Sequence, residues 1–135
     1  MVFSGRLQLW RPLLRWGAGV GVAVLLLVPA VQAREPAPSP PVVAAAALPV
    51  EAQSVEIAIR RGGPFAFPKD GIVFANREHL LPAQPRGFYR EYTVPTPGAK
   101  DRGGRRIVCG GPEPAAPLAC YYTANHYSTF YRITP

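Results

Sequence analysis

The chain has little of what metal-dependent, membrane-spanning or repeat proteins carry. No cluster of carboxylates stands along its 135 residues, so a bound divalent metal is not implied and no cofactor is called for. No internal repeat recurs, which excludes a solenoid. The longest apolar run, Gly17 to Val28, stops at Pro29, short of the roughly 20 residues a spanning helix needs. Cysteine is confined to Cys109 and Cys120, so one intrachain bridge is the most the sequence allows. Either they pair around the Pro- and Gly-rich segment Gly110 to Ala119, worth about 3 kcal/mol in the chain-entropy model, or they are small buried apolar residues.

What is present falls into three parts. Residues 1–33 read as a removable secretory signal: Arg6, Arg11 and Arg15 are basic, the apolar run follows, and Val31-Gln32-Ala33 offers small-residue cleavage. The expectation is a secreted, extracellular protein with no lasting membrane attachment once the leader is cut. Residues 34–47, rich in proline and alanine and free of aromatics, read as a flexible linker. Residues 48–135 remain for one small domain with a thin core, expected to be a monomer. The formal charge of +7 includes three leader arginines; residues 34–135 keep 12 basic and 8 acidic side chains, a net +4. That balance suits a polyanionic partner without proving one.

Within the domain, Ala52, Val55, Ala58 and Ile59 share one side of a segment that opens at Pro49 and is stopped by Gly62-Gly63-Pro64. This spacing predicts a single amphipathic helix, with Glu51 near its start and Arg60 and Arg61 near its end suiting the helix dipole. Beyond it, short runs rich in Tyr, Phe, Val, Ile and Thr predict strands over Phe88–Val94, Arg105–Cys109, Cys120–Thr123 and Thr129–Ile133. The fold class expected is α+β, one N-terminal helix on a small antiparallel sheet. Phe65 to Pro85 would be a long functional loop with a short strand near Ile72–Phe74. Period two turns Ile107 and Cys109 toward the helix and Arg106 and Val108 to an open binding face, where Glu91 can join them.

Several words of the sequence carry a likeness: GPF at Gly63–Phe65, DGIVFANRE at Asp70–Glu78, REYTV at Arg90–Val94, TPGA at Thr96–Ala99, RGGRRIVCG at Arg102–Gly110 and NHYSTF at Asn125–Phe130. In their order and spacing they resemble the secreted microbial guanyl-specific ribonucleases, the barnase group, and most nearly the bacterial branch typified by ribonuclease Sa. The resemblance implies the microbial ribonuclease fold. It implies Glu91 as general base toward the ribose 2′-hydroxyl, His126 as general acid toward the 5′-oxygen, and Arg102 and Arg106 as phosphate clamps. Glu78 would read guanine, the backbone of Ala75, Asn76 and Arg77 would address its O6 and N7, Phe74 or the Arg77 side chain would lie against the base, and Tyr127 would stand beside the phosphate. Partners implied are RNA and an acidic inhibitor protein of the barstar kind.

Elementary chemistry is consistent with those roles. In-line cleavage needs a proton acceptor and a donor on opposite sides of phosphorus, each worth roughly 10² to 10⁴ in rate. Guanidinium forks suit equatorial phosphoryl oxygens. DNA lacks the 2′-hydroxyl nucleophile, so selection of RNA follows from the mechanism. Singly, each residue is an ordinary surface group; His79 is read as an exposed loop residue, Arg86, Arg90, Lys100 and Arg105 as solvated charges or diffuse RNA contacts, and Tyr121, Tyr122 and Phe130 as packing. The rival reading is a secreted RNA-binding or antimicrobial protein that kept the fold without turnover. The Gly110–Ala119 connection is longer than in the family, and the cysteines that tie the termini in some members are missing.

Overall fold

The computed structural model describes residues 38–135; the expected leader lies outside the described residues. Strands β1 (Val42–Ala44), β2 (Ile72–Val73), β3 (Tyr89–Thr93), β4 (Arg106–Gly110), β5 (Ala119–Thr123) and β6 (Tyr131–Thr134) form one sheet in the order β1-β6-β5-β4-β3-β2. One helix, α1 (Val50–Arg61), packs on it. Neighbouring strands run antiparallel except β1 and β6, which are parallel. The α+β expectation holds, with each predicted strand displaced by one or two residues.

α1 ends where glycine permits it. Gly62 adopts φ 76°, and the amides of Gly62 and Gly63 reach back to the carbonyls of Ile59 and Ala58 at 3.1 and 2.9 Å. That double closure satisfies carbonyls a helix end leaves open, in a left-handed conformation that costs glycine little. The buried stripe of α1, Ala52 and Ile59 with Val55 beside them, meets Tyr92, Val94, Ile107, Cys109, Cys120 and Tyr122 on the sheet. Burying a side chain as fully as Ile59 or Ile107 contributes roughly 1.5–3 kcal/mol. Truncation of either to alanine would open this layer.

Cys109 and Cys120 stand directly opposite each other on β4 and β5 and are disulfide-bonded, resolving the two alternatives in favour of pairing. The bridge lies within the helix-side core and closes the Gly110–Ala119 connection.

Two expectations are corrected. The linker does not run through Ala47: Val42–Ala44 is a strand, Ala45–Ala47 is a turn of 3-10 helix, and Arg132 donates its amide to Pro41 O at 2.7 Å. Parallel pairing is a backbone transaction that needs no aromatics, and two β-branched valines suffice to start it. The second correction concerns the face opposite the helix, which is not open along its length. Leu81, Tyr89, Val108, Tyr121 and Phe130 bury a second apolar layer there, supplied by the residue 74–88 loop and the segment before β6. Only the end of that face bearing Glu91, Thr93 and Arg106 is left to build a site.

Candidate active site

The long loop is wired into the sheet from both ends. Asp70 is the main tie: its Oδ1 accepts the Thr93 amide at 2.7 Å and its Oδ2 the Phe67 amide at 3.2 Å. Arg90 donates to Gly71 O at 2.7 Å, and Phe74 donates its amide to Tyr89 O at 2.9 Å. Beyond Phe74 the chain turns at Asn76, φ 49°, whose side chain ties to Leu81 at both ends, donating to its carbonyl at 2.9 Å and accepting its amide at 3.1 Å. The buried Asn76 therefore shapes the loop. Phe74 rests 5.1 Å from the Tyr127 ring and 6.0 Å edge-on from Phe130.

This loop forms one wall of an open cleft of about 660 Å³ whose lining includes Phe74 to Glu78, Glu91, His126, Tyr127 and Ser128. Glu91, 9% exposed, projects from β3. Its Oε2 accepts the Tyr127 hydroxyl at 2.7 Å, while Oε1 lies 3.6 Å from Arg102 Nη2. The latter is an ion pair beyond hydrogen-bond length, so among the described residues one carboxylate oxygen stays uncommitted. Burial, the hydrogen bond to Glu91 and the charge of Glu91 push the Tyr127 phenol up to about 12, with Arg106 opposing. Tyr127 is thus a fixed donor at neutral pH.

His126 sits on a loop built by two polar side chains. Thr123 Oγ1 accepts the amides of Asn125 and Tyr127 at 3.4 and 3.2 Å, and Asn125 Oδ1 accepts the Thr129 amide at 3.0 Å. These bonds hold His126 and Tyr127 at positive φ, 53° and 69°, a conformation that needs outside support in non-glycine residues. The His126 amide donates to Gly104 O at 2.9 Å, and a Cβ at Gly104 would stand 3.4 Å from that amide nitrogen. Glycine there keeps the two loops closely apposed. His126 also borders a second cavity lined by Asp101, Arg102, Gly103 and Gly104, so the residue is shared by the two.

A family model described as ribonuclease matches residues 32–134. The chain belongs to this ribonuclease family. The ribonuclease is 51% identical over 84 residues to guanyl-specific ribonuclease Sa of Kitasatospora aureofaciens, covering 62% of this chain and 83% of the relative. It is 49% identical over 87 residues to guanyl-specific ribonuclease Sa3 of the same organism, 64% of this chain and 59% of that one. Guanyl-specific ribonuclease St of Saccharopolyspora erythraea is 48% identical over 84 residues, 62% of this chain and 77% of its own. Among solved structures, ribonuclease Sa2 with guanosine-2′-cyclophosphate superposes with a TM-score of 0.65 at 41% identity, over 72% of this chain and 98% of that one. Ribonuclease Sa2 in complexes with mononucleotides gives 0.67 at 42%, over 73% and 97%.

The ribonuclease thus places Glu91, His126 and Tyr127 on the same cleft as Phe74, Ala75, Asn76, Arg77 and Glu78. Arg102 and Arg106 do not line that cleft. Arg102 borders the adjoining cavity, and Arg106, 2% exposed, lies beneath, its Nη1 donating to the carbonyls of Arg105 at 2.7 Å and Gly103 at 3.0 Å. Among the described residues the Arg106 Nε is buried without a partner, one donor left over beside the site. Sequence reasoning missed four residues that build the geometry: Asp70, Thr93, Thr123 and Asn125. The only available signal was that each falls inside or beside one of the words that carry the family likeness.

Proposed function

We propose that this ribonuclease is a secreted, monomeric, guanyl-preferring endoribonuclease in which Glu91 and His126 exchange protons with RNA across the cleft. The observation that carries this reading is that a carboxylate with a free oxygen and an imidazole line one cavity, with Tyr127 touching both and the Phe74–Glu78 loop alongside. Glu91 takes the proton from the 2′-hydroxyl, whose oxygen attacks phosphorus. His126 gives a proton to the departing 5′-oxygen, leaving a 2′,3′-cyclic phosphate. Water then opens the ring with the two roles reversed, giving a 3′-phosphate. Arg102 and the buried Arg106 supply positive charge under the phosphoryl oxygens, and preorganised donors of this kind contribute on the order of 3 kcal/mol each.

Guanine recognition follows from the same cleft. The exposed Glu78 carboxylate accepts from N1 and the exocyclic amine, a pattern adenine cannot offer, while loop amides around Ala75 to Arg77 meet the opposite edge and Phe74 supplies a flat apolar surface. A site built to hydrogen-bond one base leaves polar groups unpaired with another, worth up to about 10⁴ in discrimination. Export rests on the basic, apolar and small-residue succession of residues 1–33. The basic domain would draw an acidic inhibitor protein onto the cleft by charge.

The decisive experiment incubates the purified protein with single-stranded RNA and maps the ends. Cuts after G with cyclic phosphate termini are expected. Glu91→Gln and His126→Ala should each lower the rate by roughly 10² to 10⁴. RNA binding without cyclic phosphate would overturn the assignment.

A further inference from the structure

We propose that Thr93 is a positioning residue that holds Arg102 away from Glu91, so that the carboxylate remains available as a base. The inference rests on Glu91 being that base. Thr93 lies two residues after Glu91 on β3, on the same face, and is 2% exposed. Its Oγ1 accepts both Nε and Nη2 of Arg102, at 3.0 and 2.8 Å. The same Nη2 stops 3.6 Å short of Glu91 Oε1. An arginine beside a carboxylate ordinarily closes to about 2.7–2.9 Å, often through two parallel bonds. Here the hydroxyl takes the edge of the fork that would otherwise do so.

Thr93 can act as a stop because it is itself fixed. Its amide is held by Asp70 Oδ1 at 2.7 Å, and its β-branched side chain is stiff about χ1. Arg102 comes from the connection between β3 and β4, a segment with several prolines and glycines and no regular structure of its own. Without an acceptor at Thr93, nothing in β3 opposes its approach to Glu91. A carboxylate locked in a close ion pair is a weaker proton acceptor, because the cation favours its charged form. The other groups facing Glu91 are the Tyr127 hydroxyl, His126, Arg77 and Glu78 on the same cleft, and Arg106, which acts on the same tyrosine; its register neighbours Ile72 and Val108 are apolar. Arg102 is therefore the one charge whose distance Thr93 sets.

The test compares wild type, Thr93→Val and Thr93→Ser in steady-state cleavage of a guanylyl dinucleotide across pH, with thermal melts to verify folding. Thr93→Val keeps the shape and removes the acceptor. It should lose roughly 10- to 100-fold in kcat with little change in KM, and the acid limb of its kcat/KM profile should move to lower pH. Thr93→Ser restores the acceptor and should return both quantities toward wild type. A folded Thr93→Val with wild-type kcat and an unmoved acid limb overturns the proposal, as does equal impairment of both variants with no movement of the limb. If Thr93→Val does not fold, Thr93→Ala is read against Thr93→Ser by the same criteria. Glu91→Gln run alongside separates the two claims: if it retains activity the base assignment itself fails, whereas if it is inactive and the Thr93 variants behave as wild type only the positioning role fails.

Discussion

Replacing Cys109 and Cys120 together by alanine opens a loop whose ends are 11 residues apart, and the consequence can be worked out before the experiment. Closing a loop of that length removes about 3 kcal/mol of entropy from the unfolded chain. In a domain of roughly 100 residues each kcal/mol moves the melting temperature by about 4–8 °C, so a fall of about 12–24 °C is expected. Both sulfurs lie in the helix-side layer, so lost packing adds to that figure. Activity is a separate matter. Cys109 faces the helix, whereas Arg106 and Val108 face the other way, and the cleft is assembled on that second side. Thermal unfolding followed by circular dichroism, paired with RNA cleavage well below the transition, reads both quantities. A fall of less than about 5 °C, roughly 1 kcal/mol, would show that the β4–β5 ladder already confines the reduced chain. A folded double variant with reduced turnover would refute the separation of stability from chemistry.

Two further outcomes follow from named groups. Tyr89 and Tyr127 are both pushed up from 10.0 to about 12 by burial, with Tyr121 and Glu91 respectively adding to the shift. The unfolded chain therefore loses these protons first, so stability is intact below pH 10 and declines as pH rises toward 12; urea midpoints across that window should show the decline, Tyr127→Phe should make it shallower while Tyr89 keeps its share, and a level profile would refute the burial argument. Asp70→Asn weakens acceptors that hold the Thr93 and Phe67 amides and should cost about 1–3 kcal/mol, with a raised KM as the loop wall loosens; unchanged melting and KM would show that Gly71 and Phe74 anchor the loop unaided.

The parts of this protein that obey a period could be read directly. Alternation along β3 and β4 puts Glu91 and Arg106 on one face and Ile107 and Cys109 on the other, and the helix is plain from Ala52, Val55 and Ile59. The cleft residues were legible through the likeness of whole words, not through any property of Phe74 or Glu78 alone. What escaped notice depends on distant partners. Val42–Ala44 is a strand only because residues 132–134 lie beside it, some ninety positions later, and local composition there argues for a linker. The second apolar layer draws Leu81 from an irregular loop that has no periodicity to betray it. Thr93, Thr123 and Asn125 act through side-chain hydrogen bonds to backbone or guanidinium, contacts that residue type permits but does not announce.

All five residues of β4 are buried. Hemmed between α1 on one side and the loop-supplied layer on the other, the strand has no disposable side, and any change along it must be absorbed by one packing layer or the other. Arg106 is rooted in this least yielding part of the molecule, whereas its companion Arg102 hangs from a connection of glycine and proline. On the proposed mechanism the phosphate meets one cation that cannot retreat and one that can be steered, and variation that retunes the enzyme has room only at the second.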